Sequence, residues 1–116
     1  MPPTTSYDFG DVVLVGFPFT HLQATKKRPA VIISHPSYQQ SRPDIILMAI
    51  TSQIRQPLSI GDAILQDWRA AGLAKPSVLK PLIATIEQNR IIKTLGRLSA
   101  TDRRTLNTVL QSILGG

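Results

Sequence analysis

A chain of 116 residues supports one core and no second, and at this size folding buries roughly two thirds of the unfolded surface, enough without disulfides or a structural metal. The absence of cysteine excludes a disulfide scaffold, a thiolate zinc site and a cysteine nucleophile. Thirteen Lys and Arg against seven Asp and Glu leave a formal charge of +6 and a pI near 10.3, which suggests a polyanionic partner without identifying one.

In chain order, Asp11 to Phe17 is an apolar, β-branched run behind a Gly-Asp turn and reads as a strand that Pro18 stops. Residues 18–28 form a loop. Pro29 to Ser34 is a second strand, with proline at its first position, where a missing N–H is tolerated, and His35-Pro36 closes it. Asp44 to Thr51 is almost continuously apolar and belongs in the centre of a sheet, buried on both faces. Asp62 to Leu65 is a brief strand, and Asp67 to Gly72 has the composition of one helical turn ended by glycine. Two further strands follow, Ser77 to Thr85 and Arg90 to Leu98, with Pro81 demoting the first to an edge or bulged position. Ser99 and Asp102 have the spacing of a helix start, and Leu106, Val109, Leu110, Ile113 and Leu114 form one apolar stripe up to Gly115. Short strands followed by one amphipathic helix predict a small barrel or half-barrel with the helix packed on it, in a single domain spanning 1–116. No stretch approaches the roughly 20 apolar residues of a membrane span, and the start lacks the basic-then-apolar order of a signal peptide, so the expected compartment is the cytoplasm.

Positive charge is clustered. Lys26, Lys27 and Arg28 arrive together, and residues 75–97 hold Lys75, Lys80, Arg90, Lys93 and Arg97 against Glu87 alone. Most enzyme constellations are missing. Glu87 is the sole glutamate, the aspartates sit mainly at turns and helix starts, and neither metal-ligand spacings nor glycine-rich phosphate loops occur. No metal or other cofactor is therefore expected. His21 and His35 could form an acid–base pair, though both flank strands beside turn residues. Arg28 precedes a proline that holds its backbone extended, which limits where the guanidinium can point. Such a group can hold a phosphate through two parallel hydrogen bonds, whereas Lys26 and Lys27 act as mobile point charges. Thr51 offers a hydroxyl and Gln53 an amide at the third strand's exit. The plain alternatives are a surface ion pair for Arg28 and a strand-capping hydroxyl for Thr51.

Taken together, Gly10 to Thr20, Lys27 to Ser34, Ala49 to Gln53, Lys75 to Val78, and Ile83-Ala-Thr85 before a basic stretch and terminal helix resemble the PemK/MazF family over residues 8–114. That resemblance implies a mainly β, SH3-like small barrel with a C-terminal helix, and a homodimer. It also implies a toxin endoribonuclease of a type II toxin–antitoxin system, cutting single-stranded mRNA at short sites without metal. By the same resemblance, Arg28 and Thr51 are the catalytic positions. Phe19 and Thr20, in the Phe17–Thr20 turn, together with Lys26, Lys27, Ser52, Gln53, Lys75 and Ser77, fall to RNA binding. His21 stands where relatives commonly carry aspartate and is a candidate acid or base; Glu87 replaces another common aspartate. Lys80 joins the cations that could track a phosphate backbone, and Phe19, Tyr38 or Trp68 could stack on bases. A cognate antitoxin with an acidic segment is the implied partner. Two other activities fit the same architecture: a CcdB-like gyrase poison, and an SH3-like nucleic-acid-binding module without catalysis.

Overall fold

The computed structural model describes residues 6–16 and 27–115. Six strands, β1 (Asp11–Gly16), β2 (Lys27–Ile32), β3 (Asp44–Thr51), β4 (Ala63–Ile64), β5 (Val78–Glu87) and β6 (Ile91–Arg97), make one antiparallel sheet in the order β4-β5-β3-β2-β1-β6. Helix α1 (Pro36–Ser41) links β2 to β3, a 3-10 turn (Gln88–Arg90) links β5 to β6, and α2 (Ala100–Ile113) closes the described chain. Among the described residues no helix is long and apolar enough to cross a membrane.

The near-continuous apolar runs of β1 to β3 follow from burial on both faces. On one face Val12, Val31, Met48 and Ile50 pack with Leu106 and Val109 of α2. On the other, Val13, Val15, Ala30, Ile32, Ile45, Leu47 and Ala49 pack with Tyr7 and Ile86. Burial and the nearby Asp11 carboxylate both push the Tyr7 phenol above its ordinary pKa. The α2 stripe is buried or half-buried through Ile113, whereas Leu114 lies past the last helical turn and is exposed.

Several local expectations correspond to observed devices. Pro81 sits in a bulge: the β3–β5 register shifts between Met48 and Ile50, so Lys80, Pro81 and Leu82 together face Ala49. Two more shifts along β1–β6 leave Ile92 and Leu95 as extra residues in β6. The turn after Asp67 ends with Gly72 at φ +82°. There Leu73 N–H donates to Trp68 O (3.1 Å) and Gly72 N–H to Arg69 O (3.0 Å), the paired bonds of a glycine-terminated helical turn.

Helix α1 and the 3-10 turn Gln88–Arg90 are absent from the sequence reading, which begins a strand at Arg90. Helix α1 occupies the span after His35, whose Nδ1 accepts the Ser37 N–H at 3.1 Å as its N-cap. The barrel expectation also needs refinement. The sheet does not close by hydrogen bonding, since β4 and β6 end it on opposite sides. Instead the turn ending at Gly72 lies against β6, where a methyl on Gly72 would collide with the Leu95 carbonyl and one on Gly96 would stand 2.6 Å from Ala71 O. Two residues without side chains thus let backbone meet backbone at the seam.

Asp102 holds this turn to α2. Ser99 Oγ accepts the Asp102 N–H at 3.2 Å, the expected cap. The Asp102 carboxylate is fully buried and accepts the Gln66 N–H (2.9 Å) and Asp67 N–H (2.8 Å). Replacing Asp102 with Ala strands two backbone donors and is expected to cost about 3 kcal/mol in urea unfolding. Asp102→Asn, which keeps one carbonyl acceptor, is expected to cost less; equal stability of the Ala variant and the parent contradicts the assignment.

Candidate functional site

The site begins with a missing hydrogen-bond donor. Ile33 N–H donates to Ile46 O at 2.9 Å, and because alternate residues of a strand direct their N–H groups to the same side, positions 31 and 29 also face β3. Position 29 is proline and has no N–H to give. The β2–β3 register accordingly stops at Ala30↔Ala49. Past that point β3 keeps its pairing with β5 on the other side, through Ile50↔Leu79 and Thr51↔Val78. The start of β2 pairs with β1, Pro29 with Leu14, Arg28 with Val15 and Lys27 with Gly16. The two strand ends separate, and between them lies an open groove of about 360 Å³.

Lys27, Arg28 and Pro29 form one wall of this groove, and Ile50, Thr51, Ser52 and Gln53 the other. Leu73, Ala74, Lys75 and Ser77 complete it. Carried two and three residues past its last pair, the β2–β3 register aligns Arg28 with Thr51 and Lys27 with Ser52. By strand alternation both Arg28 and Thr51 belong to the face that carries Ala30 and Ala49.

The polar groups are held from within the chain. Thr51 Oγ1 accepts the Gln53 N–H at 3.1 Å, which orients the hydroxyl and leaves its proton to donate into the groove. Ser77 is buried, and its hydroxyl donates to Lys75 O at 2.9 Å, shaping the bend that carries Lys75. No carboxylate lies among the described lining residues. Nor do Lys27, Arg28 or Lys75 form any of the ion pairs among the described residues, which are Arg42–Asp44 (3.5 Å), Lys80–Asp62 (3.5 Å) and Arg97 with Asp8 (3.9 Å) and Asp11 (4.0 Å). Three cations around one groove, with no counter-charge among the described residues, favour an anionic occupant.

Other sequence candidates lie elsewhere. Lys80 is bound to the largely buried Asp62, which also accepts the Ser59 N–H, and it does not line the groove. Trp68 packs on the core with the Arg69 guanidinium 4.9 Å from its ring centre, and the Tyr38 ring carries Arg42 at 5.4 Å. His35 serves as the α1 cap at the other end of β2. Phe19, Thr20, His21 and Lys26 lie outside the described residues. Sequence reasoning passed over Pro29, Ile50, Leu73 and Ala74 as groove residues. The proline was visible, but its consequence needed the strand partner; Leu73 and Ala74 carry no local signal.

A family model described as PemK-like, MazF-like toxin of type II toxin–antitoxin system matches residues 8–114. No curated protein sequence matches the chain. Among solved structures the chain is similar to MazF (Form-I) from Deinococcus radiodurans, at 20% identity and TM-score 0.74, covering 97% of this chain and 100% of that one. It is also similar to a MazE–MazF structure (Form-II) from the same organism, at 19% and 0.73 over 97% and 98%. A third is the Mycobacterium tuberculosis toxin MazF-mt6, at 19% and 0.68 over 86% and 91%. At these identities the likeness is one of fold.

The division between groove cations and the paired Lys80 is testable. Lys80→Ala leaves the Asp62 carboxylate without its cation and is expected to lower stability by about 1 kcal/mol, with heparin affinity unchanged. Lys75→Ala is expected to do the reverse, weakening heparin binding at unchanged stability.

Proposed function

Since the chain belongs to the PemK-like, MazF-like toxins of type II toxin–antitoxin systems, we propose that it is an endoribonuclease that cuts single-stranded RNA in the groove between β2 and β3. The observation that carries this reading is the meeting of Arg28 and Thr51 with Lys27 and Lys75 around one open cavity. Whole-chain cleavage would then reside in one domain, residues 1–116.

RNA supplies its own nucleophile. In the proposed reaction the 2′-oxygen attacks the adjacent phosphorus, the 2′-proton departs, the bond from phosphorus to the 5′-oxygen breaks, and that oxygen leaves with a proton. The products are a 2′,3′-cyclic phosphate and a free 5′-hydroxyl. Metal is not required by this chemistry; what the protein must supply is in-line positioning and stabilisation of the charge that builds on the non-bridging oxygens. Arg28 is suited to hold that phosphate through paired N–H donors. Thr51 donates its hydroxyl to a non-bridging oxygen, because its lone pair already receives the Gln53 N–H. Lys27 and Lys75 attract the backbone, and Ser52 and Gln53 contact the neighbouring nucleotide. The apolar shelf of Pro29, Ile50 and Leu73 lowers the local dielectric beneath them, which strengthens each of these interactions. The wider reading includes a homodimer, a cognate antitoxin that competes with RNA for the cationic groove, and action in the cytoplasm.

The test is digestion of a long RNA in EDTA, read by primer extension. Removing a positioned charge-stabilising donor costs on the order of 3 kcal/mol, so Arg28→Ala is expected to slow cleavage about 100-fold or more. Thr51→Val is expected to lose most activity and Thr51→Ser to keep it. A parent protein that arrests growth without cutting RNA would point to the gyrase-poison alternative; full activity in Arg28→Ala would refute the assigned site.

A further inference from the structure

The proline that removes a donor also leaves an acceptor behind. In an antiparallel ladder the hydrogen-bonded pairs, which exchange both of their N–H···O bonds, recur at every second position. The Ile33 N–H bond to Ile46 O makes residues 33 and 46 one such pair, so the following ones along the register are Val31 with Met48 and Pro29 with Ile50. In the last of these the Ile50 N–H faces Pro29 O, whereas Ile50 O faces a nitrogen that carries no hydrogen. The strand on the other side cannot help. Neighbouring residues of a strand direct their main-chain groups to opposite sides, so it is Thr51, opposite Val78, whose groups face β5. The hydrogen bonds at the groove's rim end elsewhere, Gln53 N–H on Thr51 Oγ1 and Ser77 Oγ on Lys75 O.

Burial makes this acceptor conspicuous. Ile50 is 2 % exposed, its side chain belongs to the core beneath α2, and yet it lines the groove. The polar atom it offers there is the carbonyl oxygen, and an acceptor so shielded from water is costly to leave unpaired. Position decides what can pair with it. Arg28 and Thr51 rise from the sheet on the face of Ala30 and Ala49, while the Ile50 carbonyl lies in the plane of the sheet, one peptide before Thr51 and aimed across the gap at β2. A phosphate held by the two side chains therefore sits over the gap with its sugar nearest this oxygen. In a ribonucleotide the 2′-hydroxyl is joined to the 3′-phosphorus only through the C2′–C3′–O3′ link, whereas the donors of the base lie beyond the sugar. A carbonyl accepts and cannot donate, so it selects an O–H at that place over the C–H of a deoxyribose.

We propose that the main-chain carbonyl of Ile50, kept free by Pro29, accepts a hydrogen bond from the ribose 2′-hydroxyl beside the scissile phosphate, and that the groove thereby selects RNA over DNA when it binds. This rests on the reading of the groove as an RNA site and adds how that site recognises ribose. The same bond holds the 2′-oxygen next to the phosphorus it attacks, before its proton departs. Pro29 is then a positioning residue, acting through the carbonyl it leaves unpaired.

The experiment titrates nucleoside 3′-monophosphates into the parent protein and Pro29→Ala, followed by NMR, with each base in ribo, 2′-fluoro and 2′-deoxy form. None can be cut, all carry the phosphate, and the 2′-fluoro sugar keeps a ribose-like pucker without a proton to donate. The parent is expected to bind the ribo form about fivefold more tightly than either of the others, the worth of one hydrogen bond. Pro29→Ala supplies an N–H opposite Ile50 O. Its new amide is expected to be protected from solvent exchange and the ribo preference to vanish, with the deoxy affinity kept. N-methylalanine at position 29, introduced by chemical ligation, again lacks the N–H and is expected to bring the preference back. A parent that binds ribo and 2′-fluoro forms alike overturns the proposal, as does a Pro29→Ala protein that still prefers ribose or whose new amide is unprotected. Loss of all three forms alike in the variant makes Pro29 a spacer between the strands and also overturns it, and loss of a preference among bases assigns the carbonyl to a base edge instead. If the parent binds no form, the groove reading fails; binding without a ribose preference sinks this inference alone.

Discussion

The absence of one backbone donor at Pro29 organises the candidate site. A strand pair held by regular hydrogen bonds would zip to its end and bring Arg28 and Thr51 together as ordinary cross-strand neighbours, their side chains filling the space that the groove now holds. With no N–H at position 29, the β2–β3 ladder ends at Ala30↔Ala49, while β2 stays paired with β1 and β3 with β5 on their outer sides. Both side chains keep the alignment that pairing register gives them, yet the backbones part enough to admit a ligand. Rigid sheet on either side sets the geometry, as precise positioning of charge demands.

The third wall depends on a second constraint far away in sequence. The segment carrying Leu73, Ala74 and Lys75 reaches the groove because the turn before it is fixed at both ends. Asp102 accepts its first two N–H groups from the start of α2. Gly72 stops it in a left-handed conformation and seats it on β6. A carboxylate on the terminal helix thereby sets the position of a lysine in the groove, through backbone hydrogen bonds and without touching it.

Much of this was legible in the sequence because it is local. The β-branched runs, the central double-sided burial of β3, the bulge at Pro81, the glycine-ended turn and the cap at Ser99 each follow from residue chemistry within a few positions. The candidate pair Arg28 and Thr51 came from side-chain chemistry and from family resemblance together. What escaped was decided by distant partners. Helix α1 hides in a polar six-residue segment whose N-cap is a histidine, a weak signal. Lys80 reads as a free cation until Asp62 is seen beside it. Seam closure by Gly72 and Gly96 joins residues that no periodicity connects.

The two bulges in β6 bear on a different property, behaviour at high concentration. An outer strand with a regular ladder of unused donors and acceptors invites another molecule to add on, and repeated addition yields insoluble fibres. In β6 the extra residues Ile92 and Leu95 break the alternation twice within seven residues, coiling the strand and putting its outward groups out of phase with any flat template. Lys93 between them adds a charge that a stacked copy would have to bury, so colloidal stability is written into the same strand that finishes the sheet.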